Sequence, residues 1–211
     1  MDGTERANED AWSSADTDVL EVEEASLEPH EYRFINHWRL RGDIEAISEV
    51  IGDPKGYQHW WPSAWLDYKG IEHGDEQGVG GVFRYKVKGW MPYTLNLTFT
   101  VREVRAPNGY TVDATGDLAG QGIWTITQDG SHVLVTYAWR VRAERAFIRN
   151  LSGLLKPLFR SNHFWVMRNG ARSLVLELAR RRATNPEELA RIPEPPGPTF
   201  PHNLRRRPQR A

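Results

Sequence analysis

His163, Asp117, Tyr137 and Arg84 are the side chains whose types suit proton transfer or the stabilisation of an enolate in this chain. Imidazole alone among unperturbed side chains changes charge near neutrality. A His163 held in an apolar site could therefore orient a carbonyl group or move a proton, while Tyr137 or Arg84 would supply a donor to a developing enolate. Each residue also has a plainer role. His163 falls on or beside a helical apolar stripe with Phe159, Val166 and Met167, where a histidine bonded to a backbone or carboxylate group serves packing. Asp117 stands at a turn between Gly116 and Gly120, where it either bonds turn amides or pairs with His163 or Arg160.

A second set of residues suits binding rather than reaction. Trp61, Tyr93, Trp124, Tyr137, Trp139, His163 and Met167 combine large apolar bodies with a few polar tips, the composition of a small-molecule pocket. Plain core packing is the rival reading, since cavity walls are also core. Trp60, Trp61 and Trp65 are read either as an aromatic gate or as a plug closing one end of the core. Around Asp129-Gly130 the apolar residues alternate, which is a hairpin signal. A two-residue turn there sets Ile126 opposite Val133, Trp124 opposite Val135, Gly122 opposite Tyr137 and Gly120 opposite Trp139. Glycine weakens a strand, so glycines opposite large rings need a reason: room for a large neighbour, a bulge or a ligand.

Other chemistries find no support. The seven histidines show no metal-ligand spacing backed by carboxylates, and no cysteine is present to act as nucleophile, metal ligand or disulfide partner. Gly78-Val79-Gly80-Gly81 precedes a strand pattern, so it is not a dinucleotide loop. No metal or cofactor is expected. Asn96-Leu97-Thr98 and Asn150-Leu151-Ser152 match the glycosylation pattern but follow no secretion signal.

The 211 residues fit one domain with tails. Residues 1–29 form an acidic arm, expected to be disordered, and residues 183–211 a Pro/Arg-rich tail in which Pro193-Glu194-Pro195-Pro196-Gly197-Pro198 cannot propagate helix or sheet. The formal net charge of −1 gives no nucleic-acid signature, and no apolar run spans a bilayer. A cytoplasmic protein is expected, with weak membrane-surface contact through Arg205-Arg206-Arg207 as the furthest reach toward lipid.

The elements that must position these side chains follow from periodicity. Tyr32, Phe34, Asn36, Trp38 and Leu40 alternate with polar residues as a first strand. Asp43 caps a short helix over Ile44–Ile51, and Tyr57–Pro62 reads as a second short helix or turn. About six antiparallel strands follow, including Pro92–Val104. Residues 144–182 carry helical periodicity, which Pro157 splits into a shorter segment and a long helix capped by Ser161 or Asn162. The apolar stripe before the break is Phe147, Leu151, Leu154, Leu155 and Leu158; after it come Phe164, Val166, Met167, Leu174 and Leu178. The predicted fold is α+β: a helix-grip, with a curved antiparallel sheet of about seven strands around a long C-terminal helix.

Trp60-Trp61-Pro62, Pro92-Tyr93-Thr94-Leu95, the run from Gly116 to Trp124, Tyr137-Ala138-Trp139 and Arg160-Ser161-Asn162-His163 together resemble the SRPBCC superfamily, the START-like or birch-pollen-allergen-like fold. Within it, bacterial polyketide cyclase/dehydrase-like proteins are most similar. The resemblance spans about residues 30–182. It implies an internal cavity for a hydrophobic or aromatic small molecule such as a lipid or polyketide. It also leaves open a cyclase, aromatase or dehydratase acting on a poly-ketone. A third reading is an interaction scaffold that docks partners through its charged tails.

Overall fold

The computed structural model describes residues 18–23, 28, 30–144 and 146–204, with residues 147–154 described by backbone alone. The apolar side chains expected of Phe147, Leu151 and Leu154, most of the acidic arm, and the arginines at 205–207 lie outside the described residues.

One antiparallel sheet holds β1 (Asp18–Glu23), β2 (Glu31–Arg41), β3 (Trp65–Glu72), β4 (Val82–Val87), β5 (Leu95–Val104), β6 (Gly109–Gly116), β7 (Leu118–Asp129) and β8 (His132–Ala143). Their order is β1-β2-β8-β7-β6-β5-β4-β3. Between β2 and β3 come α1 (Ile44–Ile51) and α2 (Tyr57–Trp60); after β8 come α3 (Ala146–Arg182) and α4 (Pro186–Arg191).

Alternation builds the sheet as expected. Along β2, Tyr32, Phe34, Asn36, Trp38 and Leu40 are all buried while the residues between them are not. Asp43 caps α1, its carboxylate accepting from the Ala46 amide at 3.2 Å. The eighth strand, β1, lies within the acidic arm. There Val19 to Glu23 pair with Trp38 to Phe34 on the open edge of β2, and Glu21 meets Arg168 of α3 at 2.8 Å. A free strand edge and a facing arginine supply what composition alone did not show.

The hairpin register differs from expectation by two residues. Asp129 pairs with His132, so the turn is Gly130-Ser131, with Gly130 at φ +59°. Trp124 therefore faces Tyr137, Gly122 faces Trp139 and Gly120 faces Val141. Gly130, the one residue there able to take a positive φ cheaply, moves to the first turn position. A shift of two preserves every side chain's face, because the strand period is two.

The helical region also differs. α3 runs unbroken through Pro157 from Ala146 to Arg182. Pro157 and Leu158 are exposed, so Leu158 leaves the expected apolar stripe. A proline on the wet side costs least, since water can take the carbonyl it frees. Phe159, Phe164, Met167, Leu174 and Leu178 remain buried in the core. Asn162 is mid-helix and caps no helix; its side-chain oxygen accepts from the Met91 amide at 3.1 Å. In the tail, Asn185 caps α4 by accepting from the Glu188 amide at 2.9 Å, with Pro186 in the first turn. That Asn-Pro-Glu-Glu signature of a helix start was present in the sequence.

Candidate functional site

A cavity of about 340 Å³ lies between α3 and the sheet. Phe34 of β2, Tyr85 of β4 and Phe99 of β5 line it together with Phe159, His163 and Met167 of α3. In the sheet order β2 and β4 are five strands apart, about 24 Å across a flat sheet. Residues of both can line one cavity only because the sheet curves around the helix.

All seven residues expected to bind a ligand line this cavity: Trp61, Tyr93, Trp124, Tyr137, Trp139, His163 and Met167. Arg84 and Asp117 do not. Arg84 is exposed on the other face of β4. Asp117 ties two strands: its carboxylate accepts from the Asn96 amide at 2.7 Å, and its own amide donates to the Asn96 carbonyl at 3.0 Å.

One end of the interior is filled. Trp60 and Trp61 are buried and packed with Tyr57 and Trp65, the Trp60–Trp61 ring centroids 5.3 Å apart. Gly170 of α3 makes room for Trp61, because a Cβ at that position would overlap the indole ring. Trp60 is therefore core, while Trp61 is core on one side and cavity wall on the other.

Of the two glycines in β7, Gly122 leaves room for large neighbouring rings. A Cβ on Gly122 would come within 2.6 Å of the Tyr137 hydroxyl and 3.2 Å of the Trp139 ring. Tyr137 in turn stacks on Trp124 with centroids 4.1 Å apart.

Three tyrosine hydroxyls of the cavity wall are already spent on the protein. The Tyr57 hydroxyl donates to the Ile51 carbonyl at 2.8 Å, that of Tyr85 to the Pro54 carbonyl at 2.8 Å, and that of Tyr110 to the Ser48 carbonyl at 2.9 Å. The Tyr137 hydroxyl has no hydrogen-bond partner among the described residues. Burial pushes its ionisation far above the usual range, so it stays a neutral donor.

His163 stacks on Phe34, centroids 4.2 Å apart at 15°. Its Nε2 lies 3.1 Å from Nδ2 of Asn36, a buried residue of β2. An amide nitrogen donating to Nε2 leaves the proton on Nδ1, so the ring is a neutral donor. Desolvation lowers its pKa to about 3, with no carboxylate to oppose it. Asn36 is the neighbour of His163 that sequence reasoning missed. The signal was one polar residue among four apolar ones on the inward face of β2.

No family model matches the chain, and no curated protein does. Solved structures do. A protein of Thermus thermophilus superposes with a TM-score of 0.52 at 13% identity, covering 76% of this chain and 98% of its own. The fold is a helix-grip. A protein of Arthrobacter aurescens gives a TM-score of 0.51 at 12% identity, over 74% of this chain and 91% of that one. The di-domain ARO/CYC protein BexL from the BE-7585A biosynthetic pathway gives 0.52 at 11% identity, over 75% of this chain and 52% of that one. At such identities the likeness carries the helix-grip architecture alone. Among the described residues, no helix is long and apolar enough to cross a membrane.

Proposed function

We propose that this helix-grip chain is a cytoplasmic carrier that holds a hydrophobic or aromatic small molecule, such as a lipid or a polyketide, between α3 and the sheet. It groups with the polyketide cyclase/dehydrase-like SRPBCC proteins that its motifs resemble. The observation carrying this reading is the cavity itself: about 340 Å³, walled by aromatic and aliphatic side chains. That size and lining suit a small ligand held by area, with few groups to orient it. Native mass spectrometry of the protein purified from its own host tests the reading. The expected result is a retained small molecule that is lost in Val166→Trp, a substitution that fills the cavity from α3. Repeated absence of any adduct, with no thermal shift from a lipid and polyketide panel, overturns it.

The Asn36–His163 pair favours a second reading, a cyclase or dehydratase acting on a poly-ketone. A neutral imidazole fixed by an amide and stacked on Phe34 is pre-oriented toward a carbonyl oxygen, with the Tyr137 hydroxyl as a second donor on the same cavity. Likeness to an ARO/CYC protein is compatible with it. On this reading His163→Ala abolishes turnover of a poly-ketone while leaving its binding intact; unchanged turnover rules it out.

A further inference from the structure

Lys88 is the one charged residue buried as a whole among the described residues, at 3% exposure. Alternation along β4 places it with exposed Arg84 and Lys86, but the strand ends at Val87 and Lys88 is buried. There the Lys88 amide donates to the Ala64 carbonyl at 2.9 Å. Lys88 is also the only charged residue that lines the cavity, beside Gly89, Tyr93 and Asn162. With His163 neutral, the wall carries one positive charge and no negative one.

No carboxylate pairs with Lys88 among the described residues. Its ammonium instead donates to the Thr199 carbonyl at 3.2 Å, to the Thr199 hydroxyl, and to the Phe200 carbonyl at 3.2 Å. All three hydrogens thus go to two consecutive residues of the C-terminal segment. The Thr199 hydroxyl donates in turn toward the Gly89 carbonyl at 3.1 Å, with the Trp90 carbonyl at 3.3 Å. Pro195 of the segment is buried, but the large apolar side chains at its end are not: Phe200 is 61% exposed and Leu204 75%. Polar contacts to Lys88, Gly89 and Trp90 pin it there, and a second hold is the Arg180 guanidinium on the Pro193 carbonyl.

Three neutral acceptors satisfy the hydrogens of an ammonium but leave its charge unbalanced. Burial accordingly lowers the Lys88 pKa. A carboxylate would satisfy the same hydrogens and cancel the charge, and charge-assisted bonds are about twice as strong as neutral ones. We propose that Lys88 is a head-group site of the cavity, where the carboxylate of an amphipathic acid displaces the Thr199 and Phe200 acceptors while its apolar body fills the aromatic chamber. This rests on the carrier reading and names its ligand class as carboxylic acids rather than neutral lipids. The C-terminal segment is the internal cap of that site, so its loosening favours the acid.

Decanoic acid and 1-decanol, titrated calorimetrically into the full chain at pH 7.5, separate the possibilities. The expected result is that the acid binds about tenfold more tightly than the alcohol, as one charge-assisted contact implies. Lys88→Met should erase that preference, so that the variant binds acid and alcohol equally. Thr199→Val, which weakens the cap and keeps the charge, should raise acid affinity several-fold and leave the alcohol unaffected. Equal binding of acid and alcohol by the unaltered protein overturns the head-group site but leaves the carrier reading standing. A preference that survives in Lys88→Met does the same. Should Lys88→Met fail to fold, an unchanged preference in Thr199→Val overturns the proposal. Binding of neither probe removes the carrier reading and this site with it.

Discussion

The side-chain amide of Asn36 on β2 lies 3.1 Å from Nε2 of His163 on α3, joining sheet and helix at the cavity wall. It is a polar contact in an apolar setting: the amide sets the tautomer of the imidazole, while burial keeps the ring neutral.

The first consequence is a pH dependence. In the unfolded chain His163 takes a proton near its ordinary value of 6.5; in the folded protein it does so only near 3. Between those values the unfolded state binds more protons, so stability falls as pH falls. The contribution is complete above pH 6.5 and declines toward pH 3. The expected loss is about 2 kcal/mol by about pH 5. Urea unfolding at pH 7.5 and pH 5 measures it, with His163→Gln as the variant that lacks this component. An imidazole resonance of His163 titrating near 6.5 would contradict the assignment.

Gly122→Ala tests the room left for rings on β7. The backbone there tolerates alanine, but the new methyl would press on the Tyr137 hydroxyl at 2.6 Å and the Trp139 ring at 3.2 Å. Tyr137 is stacked on Trp124, so its way out is into the cavity. Stability should change by no more than about 1 kcal/mol, since alanine also relieves the strand cost of glycine. Affinity for 1-decanol should fall several-fold. Unchanged affinity would show that these rings do not bound the ligand space.

Gly170→Ala should behave differently. Alanine favours a helix by about 1 kcal/mol over glycine. Here its methyl would overlap the Trp61 ring, which Tyr57, Trp60 and Trp38 hold in place. Overpacking of about 2 kcal/mol or more should win. Thermal unfolding then shows a lower Tm, and a higher one would mean that Trp61 can move.

Asp117→Ala separates a strand tie from a chemical role. Losing the bond from the Asn96 amide should cost about 1 kcal/mol. Ligand affinity and any turnover should stay at the unaltered level, because Asp117 is not part of the cavity wall. A selective loss of turnover at normal stability would return Asp117 to the site.

Much of this protein is written in local pattern. The alternation of Tyr32 to Leu40, the cap at Asp43, and the aromatic faces of β7 and β8 each follow from neighbouring residues and a fixed period. These determine the α+β helix-grip and which aromatic residues face inward. The two-residue register error at the Gly130 turn left those faces intact, since only odd shifts exchange them.

What local pattern does not carry is decided by partners distant in the chain. Asn36 meets His163 across 127 positions, Thr199 caps Lys88 across 111, and Arg168 draws Glu21 of the acidic arm into ion-pair contact across 147. α3 continues through Pro157 because the buried residues after it hold it against the sheet. Alternation along β4 would set Lys88 with exposed Arg84 and Lys86, but the strand ends at Val87 and the residue is buried. The sequence by itself determined that there is an aromatic wall; the tertiary structure decided that the wall encloses a space, and that the one charge on it is positive. The physical reason is that side-chain direction is a local property, whereas burial, desolvation and pairing depend on which elements come to lie together.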